Sequence, residues 1–212
     1  MADDNSDTGQ LTEGWNTYWE GASGSQAFAS GGVSNPGFAA FWSDALAEFF
    51  AARPGSKTLD IATGSGAVVE SLSLTPGVKL ENVSCVDIAK AAVDGVMERF
   101  PAVAGIVADA NLIPLETREF DLITSQLGIE YAGPGAIDEA VRLLAPGGHM
   151  IFLLHFHSGA LHQNCLTTID ALRRVRQSNF FVLTEGFLGA GFAAVRGGES
   201  GTKKPLRQYK EI

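Results

Sequence analysis

Four short apolar runs of this 212-residue chain each end in residues able to hold a polar ligand. The first, KTLDIA at 57–62, leads into Asp60-Ile61-Ala62-Thr63-Gly64-Ser65-Gly66. Gly64 and Gly66 permit a tight turn and let backbone N–H groups approach a ligand where a helix begins. The same two glycines would also serve a strand-to-helix turn for geometry alone. The second run, NVSCVD at 82–87, ends in Asp87, whose carboxylate can accept from both hydroxyls of a ribose and can equally cap the next helix. The third, VAGIVA at 103–108, is followed by Asp109-Ala110-Asn111, polar groups able to read an adenine edge. The fourth, EFDLITSQL at 119–127, closes on Ser125-Gln126-Leu127-Gly128. One such end is a weak signal, but four in succession suit an adenosine-containing ligand.

These ends must be positioned by the elements around them. Asn35-Pro36 supplies a helix N-cap and N1 proline, and Phe38, Phe41, Trp42, Ala45, Leu46 and Phe49 follow at helical spacing until Arg53-Pro54-Gly55. Helical patterns at 66–74, 89–99 and 135–144 alternate with the four runs. A fifth strand is expected at 149–156, after the turn Ala145-Pro146-Gly147-Gly148. A further helix is expected at 159–176, with Leu161, Cys165, Ile169, Leu172 and Val175 inward. Apolar strands alternating with helices predict an α/β fold: a doubly wound, mostly parallel sheet flanked by helices. In such sheets ligands bind beyond the C-terminal strand ends, where the strand order switches.

Composition narrows the class further. The net charge is −9, from 15 basic and 24 acidic residues, which opposes a broad nucleic-acid surface. No apolar run approaches the roughly 18 residues of a membrane span, and the acidic N-terminus has no signal-peptide pattern, so a cytoplasmic protein is expected. Cys85 and Cys165 are too few for a disulfide framework, lack metal-ligand spacing and read as buried thiols; no metal is expected. Candidates for acid–base chemistry are His155 and His157, expected on one side of the fifth strand if it extends that far, with Glu130 and Tyr131 after the fourth. Packing or surface roles are the commoner fate of such histidines, and no catalytic base is assigned.

The ordered set resembles the class I S-adenosylmethionine-dependent methyltransferases, nearest the small-molecule enzymes with a D-x-A-x-G-x-G loop. Leu59 to Gly66, Val86-Asp87-Ile88, Ala108-Asp109-Ala110, Phe120 to Ile123 and Leu143 to Gly148 carry the resemblance. It extends over residues 36–158 and implies a Rossmann-like methyltransferase fold with S-adenosylmethionine as cofactor. It also implies that Gly64 and Gly66 pack on the methionine portion, with Ala62 near its amino group and Asp60 orienting that end. Asp87 would take the ribose diol, Ile88 would pack on adenine, and Asp109 with Ala110 would meet its edge. Gln126 and Leu127 would lie beside the methyl donor. Ala62 stands where the family's loop usually has its first glycine.

Methyl transfer from a sulfonium is an in-line displacement that asks chiefly for alignment and exclusion of water. The acceptor is expected to be a small molecule, met by residues 1–35, an N-terminal tail and lid segment ahead of a cofactor domain at 36–212. Residues 1–12 read as a frayed tail, Trp15, Tyr18 and Trp19 fall at helical spacing, and Gly21 to Gly37 is a Gly/Ser-rich loop. The aromatic trio would either close over the ligand or simply dock a helix on the sheet. Two other readings stay open: a binding or regulatory protein without turnover, and an NAD-dependent oxidoreductase. The latter is opposed by Val69 at the third glycine of G-x-G-x-x-G and by the lack of a Tyr-x-x-x-Lys pair. One departure from the family concerns the C-terminal end. Its closing antiparallel strand pair is incomplete here, with GFAAVRGG (191–198) the one strand-like piece. An unfinished sheet would expose Phe180, Phe181, Phe187 and Phe192 and favour a homo-oligomer.

Overall fold

A computed structural model describes residues 4–21 and 36–197. The chain divides into two compact units, Met1–Leu154 and His155–Ile212.

The first unit is built on β1 (Thr58–Ile61), β2 (Val83–Asp87), β3 (Ala104–Val107), β4 (Phe120–Gln126) and β5 (Leu144–Leu153), all parallel in the order β3-β2-β1-β4-β5. The chain starts at the sheet centre, runs out to β3 and returns to β4, so the order switches between β1 and β4. Around the sheet lie α1 (Asp4–Gly21), α2 (Pro36–Ala52), α3 (Ala67–Leu74), α4 (Lys90–Arg99) and α5 (Gly135–Leu143). Alternation along the strands feeds two cores. Cys85 and Leu122 join Trp42, Leu46 and Phe50 of α2 with Val68 and Leu72 of α3. Leu59, Ile61, Val86 and Ile123 join Ala136, Ala140 and Leu143 of α5. Two apolar layers on one sheet are what a parallel sheet requires, because both of its faces are covered.

Glu139 of α5 clamps the segment before β4. Arg142 donates to both of its carboxylate oxygens at 2.7 Å, the Ile113 N–H donates to Oε1 at 2.7 Å, and Arg142 donates onward to the Ile113 and Leu115 carbonyls. The bonds from Arg142 hold the Glu139 carboxyl below its ordinary range. Its contribution to stability is therefore present above the unfolded value and lost only as pH falls through the lowered one. Glu139→Ala leaves a buried N–H without its acceptor, and thermal melts at pH 7 are expected to show a midpoint several degrees lower.

Three expectations are corrected in this unit. Helix α1 begins at Asp4, so residues 4–12 are not a frayed tail. Strand β5 starts at Leu144 rather than 149: two steps along β4, Phe120 to Leu122, face five along β5, Leu144 to His149. Ala145 to Gly148 form a bulge there, with Gly147 at φ 75°. The strand also ends at Leu153, so His155 and His157 are not strand residues. The Gly/Ser-rich loop at 22–35 lies outside the described residues.

The second unit contains α6 (Ala160–Gln177) and α7 (Phe180–Gly197). Asn179 stands at φ 53° after α6 and ends it, with its N–H donating to the Arg176 carbonyl. Phe180 onward is helical, so the strand expected within 191–198 is a helix through Gly197. Cys165, Ile169, Leu172 and Val175, expected inward, are exposed on α6; the side chain of Leu161 lies outside the description. The helical period of α6 was legible, but a helix can be amphipathic without having its apolar face covered. Phe180, Phe181, Phe187 and Phe192 are exposed on α7. His157 packs against His162, ring centroids 4.6 Å apart. No helix among the described residues is long and apolar enough to cross a membrane.

Candidate functional site

At the switch in strand order, the ends of β1, β2 and β4 and the segment after β3 surround a cavity of about 300 Å³, at the lower end of the range for small-molecule sites. Asp60 organises its floor from below. Its side chain is buried, accepting from the Thr63 hydroxyl at 2.7 Å and from the Thr124 hydroxyl of β4 at 2.9 Å. Burial outweighs those two bonds and pushes the carboxyl up to about 7, with Asp87 adding repulsion. The loop after β1 can then turn sharply, because Ala62 and Gly64 adopt φ 55° and 50°.

Asp87 connects that loop to the next strand end. One carboxylate oxygen accepts the Gly64 N–H and the other the Ala89 N–H, both at 2.9 Å. Asp87 does not cap α4 itself, since the N-cap is Ala89; it accepts the N–H of that N-cap residue, and each oxygen keeps a second acceptor position for a ligand. Asp87 is buried, and burial, opposed by the backbone N–H groups, holds its carboxyl above the ordinary carboxylate range. Two buried acids on one cavity favour a ligand that brings hydroxyl donors and positive charge. S-adenosylmethionine has both: a ribose diol, and a sulfonium and an ammonium group.

The cavity brings together nine of the ten residues singled out from the sequence. Ala62 and Gly64 stand with Asp60 at β1, Asp87 and Ile88 at β2, Asp109 and Ala110 after β3, and Gln126 and Leu127 at β4. Gly66 is the exception. It faces α4, where an added Cβ would come within 2.8 Å of Val96, and its φ is 77°. Gly66→Ala is expected to cost about 1–3 kcal/mol of stability from left-handed strain and overpacking, read as a lower urea midpoint with the slope unchanged.

Leu127 also adopts a left-handed conformation, φ 52°. Between it and the loop after β1, Gly128 lies so close that an added Cβ would meet the Ala62 Cβ at 2.7 Å. Strained backbone thus brackets the crevice on both strands that form the switch.

The roof was only partly foreseen. Leu11, Trp15 and Trp19 of α1, four residues apart, line the cavity, whereas Tyr18 packs edge-on against Trp19. Trp19 lies against Gly64, and Trp15 approaches Tyr131 at 6.2 Å. The Asn16 carboxamide oxygen accepts the Ala91 N–H at the start of α4, a service that Ala89 at the N-cap cannot provide. Leu11 was missed because it fell in a segment read as tail; its spacing from Trp15 and Trp19 was the available signal. Thr63, Ser65 and Asn111 also line the cavity. Of the acid–base candidates in this unit, Tyr131 lines it and Glu130 borders a separate groove with Ile137 and Leu154. Burial and the nearby carboxylates of Asp60 and Asp87 push the Cys85 thiol up to about 12, which leaves it no nucleophile at neutral pH. Cys85 is buried as expected, whereas Cys165 is not. Among the described residues no group of three or more His, Cys, Asp or Glu is placed to hold a metal ion.

Comparison with known proteins points the same way. Residues 59–152, which run from β1 to β5 and contain the strand ends just described, match a family model described as a methyltransferase domain. That part of the chain is similar to methyltransferase domains. Among the proteins that this chain is similar to is the ubiquinone/menaquinone biosynthesis C-methyltransferase UbiE of Cereibacter sphaeroides. The two are 33% identical over 132 residues, covering 58% of this chain and 50% of the relative. The demethylmenaquinone methyltransferase of Beutenbergia cavernae is 31% identical over 121 residues, 56% of this chain and 49% of the relative. The chain thus spans about half the length of these relatives. The YcgJ protein of Bacillus subtilis shares the fold, with a TM-score of 0.50 at 20% identity over 63% of this chain and 59% of that one.

Proposed function

We propose that this chain is a methyltransferase that binds S-adenosylmethionine in the cavity under α1 and transfers its methyl group to a small-molecule acceptor. The observation that carries the reading is Asp87: a buried carboxylate at the end of β2, on the cavity wall, tied by Gly64 to the glycine loop. In this reading Asp87 accepts from the ribose hydroxyls, Ile88 packs on adenine, and Asp109 with Ala110 meets its edge. Ala62 and Gly64, shaped by Asp60, hold the methionine end, and Gln126 with Leu127 borders the transferable methyl.

When bound, the cofactor supplies an electrophilic methyl on a sulfonium, already activated for displacement. The residues of the chain then have two tasks. The strand ends align the donor, and Leu11, Trp15 and Trp19 keep water from it. The aromatic roof suits a planar, apolar acceptor, and the names of the relatives, which concern quinone biosynthesis, support a carbon acceptor of that type. We assign no catalytic base, and we place the protein in the cytoplasm. Exposed Phe181 and Phe192 support self-association.

Calorimetric titration with S-adenosylmethionine and S-adenosylhomocysteine, with NAD as control, tests the reading. Micromolar binding of both adenosyl ligands and none of NAD is expected. Binding of NAD alone would overturn it in favour of an oxidoreductase. Among the described residues the sheet has five strands and no closing antiparallel pair, which favours one second reading, a binding protein without turnover. Tight product binding with no methyl transfer to any quinone precursor would select it.

A further inference from the structure

Asn111 lines the cavity two residues after Asp109, yet its side-chain nitrogen is engaged within the chain. It donates to Asp109 Oδ1 at 2.7 Å and to the Ala132 carbonyl at 2.9 Å, and the Asn111 backbone N–H reaches the same Oδ1 at 2.8 Å. A carboxylate and a carbonyl only accept, so the amide atom that meets them is the nitrogen, whose two hydrogens serve both. The oxygen of the amide is closely packed as well. An added Cβ at Gly135, the first residue of α5, would come within 2.6 Å of Asn111 Oδ1.

The consequence falls on Asp109. A carboxylate oxygen has about two acceptor positions, and Asn111 fills both on Oδ1. The Asp109 side chain is half-buried on the cavity wall, and rotating it away would break both bonds. A carboxylate held in this way discriminates between two purines that differ at one edge. Adenine presents an amino donor at C6 beside a bare ring nitrogen. Hypoxanthine presents a carbonyl oxygen at C6 beside an N–H. A fixed carboxylate that accepts from the amino group repels the carbonyl oxygen, whereas a mobile one can shift to the neighbouring N–H. We infer that Asn111 is a positioning residue: by clamping Asp109 it makes the cavity select adenine over hypoxanthine in its adenosyl ligand. The inference rests on the adenosyl reading of the cavity, with Asp109 at the adenine edge.

S-adenosylhomocysteine and S-inosylhomocysteine differ only at that edge, and calorimetric titration with both reads the selection. The wild type is expected to bind the adenosyl ligand about tenfold more tightly or better, the scale of one hydrogen bond to a charged group. Asn111→Ala releases Asp109. Affinity for S-adenosylhomocysteine is then expected to fall about three- to tenfold, with S-inosylhomocysteine within about twofold, so the preference narrows. Adding Asn111→Ala to Asp109→Ala is expected to narrow it no further. Gly135→Ala displaces the carboxamide while every hydrogen-bonding group stays in the chain, and alanine is the better helix former; the same narrowing is expected.

The bond to Ala132 gives Asn111 a structural task besides, and loss of that task alone weakens both ligands alike. Parallel losses in Asn111→Ala, an unchanged preference in that variant, or further narrowing on top of Asp109→Ala would each overturn the inference and leave the adenosyl reading intact. So would a wild type that binds the two ligands equally. An Asn111→Ala protein that fails to fold leaves Gly135→Ala to decide. Failure of the wild-type chain to bind S-adenosylhomocysteine would overturn the adenosyl reading, and with it the role of Asn111.

Discussion

Asp87→Ala is expected to lower the affinity for S-adenosylmethionine by about a hundredfold or more. The estimate follows from the removal of two acceptors: hydrogen bonds to a charged group are worth about 1.5–3 kcal/mol each, and about 1.4 kcal/mol is a factor of ten. The carboxylate also holds the Gly64 and Ala89 N–H groups, so its loss relaxes the loop that shapes the methionine end. Asp87→Asn separates these contributions. It keeps one acceptor oxygen but turns an amide N–H towards a backbone donor, and a smaller loss of about tenfold is expected. Calorimetric titration of both variants reads the series directly. Unchanged affinity in Asp87→Ala would remove the ribose from Asp87. A fall in unfolding free energy large enough to leave the variant unfolded would show that the carboxylate serves the loop first.

Asp87 was legible in the sequence because two independent signals meet there, an apolar run that ends and a carboxylate that ends it. The same logic located Asp60, Asp109 and Gln126, because a parallel sheet sends every strand end to the same edge. What the sequence concealed depends on tertiary contact. Residues 4–12 are too polar to announce a helix, and α1 instead gains its reason from Leu11, Trp15 and Trp19 over the cavity. Gly64 and Gly66 looked alike in one loop, yet one touches Trp19 across the cavity and the other α4; spacing cannot say which way a turn faces. The bulge in β5 was visible as Pro-Gly-Gly, but its place inside a strand depends on pairing with β4. In α7 the piece at 191–198 read as a short strand, whereas the helix that starts at Phe180 continues through Gly197. The bond between Gln126 and Trp42 was beyond sequence reasoning altogether, since Trp42 lies 84 residues earlier in the chain.

Asp60→Asn is expected to stabilise the protein at neutral and alkaline pH and to flatten the dependence of its stability on pH. The unfolded Asp60 ionises near its ordinary value of 3.8, whereas the folded one, buried at the end of β1, ionises at about 7. Between these values the folded chain keeps a proton that the unfolded chain has released, so stability falls as pH rises across the window and levels off above it. At about 1.4 kcal/mol per unit the full effect is of order 4 kcal/mol. Asparagine is neutral throughout, and its oxygen and nitrogen can still meet the two threonine hydroxyls, Thr63 and Thr124. Urea titrations at pH 5 and pH 8 are expected to show the wild type losing stability between them and the variant changing little; parallel losses would place the proton elsewhere. The same group links pH to the ligand. A cationic ligand beside Asp60 favours its ionised form, so binding releases a proton, and affinity for S-adenosylmethionine rises with pH up to about 7 and then levels. Asp60→Asn removes that rise. Calorimetry at pH 6.5 in buffers of different ionisation enthalpy counts the released proton, and a variant that releases as many as the wild type would show that Asp60 is not its source.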